Sequence, residues 1–112
     1  MEFMILMYGD ERAEAALSDT ELKAIVGGHR ELATRLRAEG RLVCSRGLSR
    51  SQDATTVRRT SGQLVDGPYT DTAEQLGGFY LVDVADADEA VDIARSVPES
   101  PGLTIEIRPT GS

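Results

Sequence analysis

Residues 2–8 are apolar at every position after Glu2: Phe3, Ile5 and Met7 fall on one alternate set, Met4, Leu6 and Tyr8 on the other. Strand side chains alternate between faces, so this pattern predicts a strand covered on both sides. Asp10 to Leu17 is polar and alanine-rich and predicts one loose helical turn. Ser18-Asp19-Thr20-Glu21 is a capping box, with Ser18 as N-cap and Glu21 three residues in. The helix it opens runs to about Glu39 and stops at Gly40. Leu22, Ile25, Val26, Leu32, Ala33 and Leu36 recur on it at helical spacing and define the stripe expected to be buried. Gly27 and Gly28 interrupt this helix at a cost of about 1 kcal/mol each relative to alanine, which predicts a close backbone approach there.

Arg41 to Leu48 reads as a second strand, with Gly47 marking a bulge. After a polar loop, Ala54 to Thr60 reads as a third strand. Ser61-Gly62 is a hairpin turn signal, and Gln63-Leu64-Val65 returns as a short partner. Asp71-Thr72-Ala73-Glu74 repeats the capping pattern and predicts a short helix ending at Gly77, before a strand over Phe79 to Val84. Asp86-Ala87-Asp88-Glu89 opens a last helix, with Ala87, Ala90, Val91, Ala94 and Val97 on one face and Pro98 at its end. Leu103, Ile105 and Ile107 then alternate with Thr104, Glu106 and Arg108 in a final strand with one wet face.

The order of elements predicts an α+β, ferredoxin-like protomer with an inserted β-hairpin, forming one domain over residues 1–112. Two helices cover one face of such a sheet. The first strand and the Phe79 to Val84 strand are apolar on both faces, so the second face calls for another sheet, and a homodimer is expected.

Composition narrows the classes of function. With 112 residues and 40% hydrophobic positions, the chain can bury a core without disulfides or metal. Aromatic residues make up 4% and tryptophan is absent, so that core is aliphatic. The formal charge of −7 opposes direct nucleic-acid binding, although Arg46, Arg50, Arg58 and Arg59 cluster locally. A single cysteine, Cys44, rules out a disulfide within the chain and fits a reducing, cytoplasmic setting. The apolar start is too short for a membrane span and lacks the basic lead of a signal peptide. No phosphate loop, dinucleotide fingerprint, nucleophile elbow or metal-ligand cluster occurs in the sequence, so no metal or other cofactor is expected.

The candidate chemistry rests on two stretches. His29, the one histidine, falls in phase with Ile25 and Ala33 on the apolar stripe. It is either a core histidine satisfied by hydrogen bonds or an acid/base group facing a pocket between helix and sheet. Asp66-Gly67-Pro68-Tyr69 is a turn in which the Asp66 carboxylate is expected to accept hydrogen bonds from amides just downstream. Asp66 to Tyr69, continued by Thr-Asp-Thr-Ala-Glu-Gln-Leu-Gly-Gly-Phe-Tyr-Leu, resembles the DGPF subgroup of the YCII-related proteins, with Tyr69 in place of the phenylalanine of that motif. Tyr8-Gly9-Asp10-Glu11, the helix bearing His29 and Ile105-Glu106-Ile107-Arg108-Pro109 extend the resemblance over nearly the whole chain.

The resemblance implies a dimeric α+β barrel and an active pair that falls on His29 and Asp66. Two functions follow from it. The first is a cofactor-free enzyme of lyase or isomerase type acting on a small molecule. His29 is its general acid or base, Asp66 orients the imidazole, and Tyr69 hydrogen-bonds a developing enolate oxygen. Gly67, Pro68 and Glu74 would complete the substrate-binding set. The second is a non-catalytic dimeric module that binds a ligand or works in regulation beside an extracytoplasmic-function sigma factor.

Overall fold

A computed structural model describes residues 1–111. The elements are β1 (Glu2–Asp10), α1 (Glu11–Ala15), α2 (Asp19–Ala38), β2 (Leu42–Gly47), β3 (Thr55–Arg58), β4 (Gln63–Asp66), β5 (Glu74–Asp83), α3 (Ala87–Arg95) and β6 (Thr104–Pro109), with one 3-10 turn at Ser51–Asp53. β2, β5, β1 and β6 form a four-stranded antiparallel sheet in that order. Set in chain order, its strands lie 2-3-1-4, which is consistent with a ferredoxin-like fold. Among the described residues β3 and β4 pair only with each other, as a two-stranded antiparallel ribbon.

The helix ends follow the local chemistry. The Ser18 side chain accepts from Glu21 N while Glu21 accepts from Ser18 N, closing the capping box. At the other end Gly40 has φ +70°, Arg41 N donates to Leu36 O and Gly40 N donates to Arg37 O. These two bonds satisfy carbonyls that the helix leaves open, and a side chain at Gly40 would resist that backbone. In α3 the Asp86 cap accepts from Glu89 N, and the Glu89 carboxylate reaches back to Ala85 N. Glu89 also accepts from Arg41, whose guanidinium bonds Glu39 as well, tying the end of α2 to the start of α3.

Both long helices lie on the same sheet face. Phe3 and Ile5 from β1 and Tyr80 and Val82 from β5 are buried with Leu32 and Leu36 of α2 and with Ala90, Ile93 and Ala94 of α3. Ile5, Leu36, Ile93 and Val82 are the largest side chains with essentially no exposure. Truncating Ile5, Leu36 or Ile93 to alanine leaves a cavity and costs about 2–5 kcal/mol. The stripe expected on α2 holds only in its second half. Leu22 and Val26 are each 47% exposed, because cavities separate them from the strands opposite. On α3 the expected face omitted Ile93, which is 2% exposed, and included Ala87, which is exposed.

The short helix expected at Asp71 to Gly77 does not form. Residues 71–73 are irregular and Glu74 already begins β5, where Glu74, Gln75 and Leu76 pair with Asp10, Gly9 and Tyr8. The Gln75 amide donates to the carbonyls of Thr70 and Thr72, stabilising the bend instead of a helical turn. Pairing with a strand more than sixty residues away outweighs a weak local capping signal. The bulges also differ from expectation. One lies in β2 at Val43, between the Leu42–Val82 and Cys44–Leu81 pairs, and Gly47 pairs regularly with Gly78. The other lies in β5 at Gly77, between the Met7–Gly78 and Tyr8–Leu76 pairs.

Candidate active site

His29 projects from α2 toward the sheet. Its Nδ1 lies 2.6 Å from the Tyr80 hydroxyl on β5, and the two rings stack with centroids 5.9 Å apart and planes 23° from parallel. The helix phase that brings Leu32 and Leu36 onto the sheet also brings His29 there, one turn nearer the N-terminus. Tyr80 is 2% exposed, and a buried phenol requires a hydrogen-bond partner, which here is the imidazole. Burial lowers the His29 pKa from its ordinary 6.5 and pushes that of Tyr80 up to about 12. Both groups are therefore uncharged at neutral pH, and a neutral imidazole joined at Nδ1 to a phenol can move a proton at Nε2.

The pair forms part of the wall of a cavity of about 450 Å³ between α2 and the β2–β5 side of the sheet. Met7, Val26 and Ala33 supply apolar surface; Arg30, Ser45 and Arg46 supply the remaining polar side chains. This size suits a small molecule. A smaller cavity, of about 120 Å³, shares Met7, His29 and Gly77 with it and is also lined by Glu14. Burial is the main cause raising the Glu14 pKa, with Glu11 and Asp10 adding repulsion. The β5 bulge thus stands at the junction of the two cavities, a common location for bulges beside functional sites.

The remaining expected site residues fall elsewhere in the protomer. Asp66 is exposed at the end of β4, paired with Thr55, and lines neither cavity. Among the described residues its carboxylate has no hydrogen-bond partner, so the expected capping of downstream amides is not what holds the turn. The turn is held instead by Gly67, which has φ +111°, donates from its N to Ala54 O and accepts at its carbonyl from the Thr56 hydroxyl. Pro68 and Tyr69 line a separate cleft between the ribbon and the sheet, with Tyr8, Gln75 and Leu76, and Tyr69 is 81% exposed. Glu74 lies in a groove with residues of α3 and β6. Sequence reasoning missed Tyr80, Arg30, Arg46 and Glu14. The signal for Tyr80 was its alternation with Val82, which places it on the helix-covered face where a phenol needs a partner.

The family model of the YCII-related domain matches residues 1–109. The chain belongs to the YCII-related family. A protein of Rhizobium meliloti (strain 1021), described as uncharacterised, is 34% identical over 113 residues, covering 97% of this chain and 91% of that protein. In this YCII-related chain the His29–Tyr80 contact joins α2 to the central sheet at the wall of the larger cavity. Among the described residues no helix is long and apolar enough to cross a membrane, and no group of three or more His, Cys, Asp or Glu side chains is arranged to hold a metal ion.

Proposed function

We propose that this YCII-related protein binds a small organic molecule in the His29 cavity and moves a proton on it, in isomerase or lyase fashion and without a cofactor. The observation that carries the reading is the partly buried 2.6 Å contact between His29 Nδ1 and the Tyr80 hydroxyl, at the wall of a cavity of ligand size. Tyr80 fixes the imidazole, leaving Nε2 as the atom that exchanges a proton with the ligand. Glu14, whose pKa is raised, is a carboxyl group that shares a cavity wall with His29.

The DGPF-type turn enters through assembly. Met4, Leu6 and Leu81 alternate with the core residues and lie on the sheet face that carries neither long helix. Val57 and Leu64 on the ribbon are 53% and 69% exposed. A second copy of the chain, packed sheet on sheet, would cover this apolar surface. A His29–Asp66 pair would then require the ribbon of that second copy, because Asp66 stands outside the His29 cavity of its own protomer.

A second reading is a non-catalytic ligand-binding dimer, including one that serves beside an extracytoplasmic-function sigma factor. It is favoured by the place of Asp66, which leaves the larger cavity without a carboxylate from its own chain. A thermal-shift screen of small metabolites, followed by NMR of each ligand in deuterated water, separates the two. Proton transfer predicts exchange of a ligand C–H for deuterium that falls by about 10²–10⁴-fold in His29→Gln. Ligands that bind without any His29-dependent exchange would leave the binding module.

A further inference from the structure

The larger cavity departs from the charge of the molecule around it. The chain carries a formal charge of −7, with 19 acidic and 12 basic side chains. Yet the charged side chains lining this cavity are Arg30 and Arg46, and no carboxylate is among them. Among the described residues neither arginine forms a salt bridge, as is true of most arginines of this chain, so both guanidinia are available to a ligand. Arg46 pairs with Phe79 on the edge strand β2, in the alternate set to Ser45 and Tyr80, so it borders the cavity from the sheet edge, where its guanidinium folds back onto the Ser45 carbonyl at 2.6 Å and uses one of its five N–H donors. Val26, on the same wall, leaves an apolar side chain 47% exposed.

We infer that the His29 cavity takes a small organic anion, whose apolar body lies along Met7, Val26 and Ala33 and whose carboxylate or enolate oxygens are held by Arg46 and Arg30. The inference rests on the reading of this cavity as the ligand site and specifies the ligand's chemical class. A guanidinium free of internal carboxylates presents a planar fork of donors that matches a carboxylate. The neutral state of His29 and Tyr80 fits the same class, since neither adds a charge that would compete for the anion.

The test uses phenylacetate and its uncharged analogue phenylacetamide as probes. With one histidine in the chain, the imidazole resonances report binding without assignment ambiguity. Phenylacetate is expected to shift them saturably and to bind roughly tenfold more tightly than phenylacetamide, the scale of one charge-assisted hydrogen bond. Arg46→Gln and Arg30→Gln should each shrink that preference. Both side chains are exposed and outside the core, so both variants should fold. In His29→Gln the preference, read from the Tyr80 ring resonances, should persist. That result would support the anion site even if deuterium exchange were absent and the acid–base reading had failed. Equal binding of the two probes by the wild-type protein, or an undiminished preference in both arginine variants, would overturn the inference.

Discussion

The Tyr80 hydroxyl and His29 Nδ1 form the polar link between α2 and the centre of the sheet, 2.6 Å apart and 51 residues apart in sequence. Tyr80→Phe removes the hydroxyl and leaves the imidazole nitrogen without its partner. The expected cost is about 1–3 kcal/mol, the range for stranding a buried polar group. Nitrogen chemical shifts of the imidazole should show one dominant tautomer in the wild-type protein and a mixture in Tyr80→Phe. An unchanged tautomer would mean that another group orients the ring.

The lowered His29 pKa sets a direction for stability against pH. The unfolded chain takes up the imidazole proton near the ordinary 6.5, whereas burial holds the folded group below that value. Between the two values the unfolded state binds more protons, so stability rises with pH across this window. The contribution is fully present above 6.5 and is lost as pH falls through the folded value. Urea midpoints measured on both sides of this window should fall more for the wild-type protein than for His29→Gln. Parallel curves would show that the histidine is not desolvated.

Gly27 and Gly28 are adjacent in α2 and should respond oppositely to alanine. A Cβ on Gly27 meets nothing within 4 Å, so Gly27→Ala should stabilise by about 1 kcal/mol through helix propensity alone. A Cβ on Gly28 would come within 2.7 Å of Pro98 Cγ. The proline ring cannot swing aside as a flexible side chain would, so Gly28→Ala should destabilise by about 1–3 kcal/mol, the scale of overpacking. Thermal unfolding of the two variants checks both signs.

The proposed dimer predicts a sedimentation mass of twice the chain at micromolar concentration. Leu6→Glu places a charge on the sheet face without a long helix, away from the buried set of Phe3 and Ile5, and should shift the protein to monomer while circular dichroism is retained. A wild-type protein that sediments as a monomer would remove both the second copy and any route for its Asp66 to reach His29.

Local signals were enough for the helices and most strands. Ser18, Glu21 and Gly40 bound α2 because capping and left-handed closure involve only neighbours in sequence. Asp86 and Glu89 open α3 for the same reason. The element order pointed to a ferredoxin-like protomer, and the strand order of the four-stranded sheet is consistent with it. The failure at Glu74 to Gly77 was one of range: those residues read as a capped turn alone and became strand when β1 supplied hydrogen bonds.

The sequence by itself determined that this is an α+β protein of the YCII-related family, with a lone histidine turned toward the sheet. Periodicity encodes which way a side chain faces, and that is a local property. Only the tertiary structure decided what the histidine meets: Tyr80 in the same protomer, two arginines in the cavity wall, and Asp66 on a ribbon elsewhere. Those neighbours depend on strand register and on how α2 crosses the sheet, and neither quantity is written in the spacing of residues along the chain.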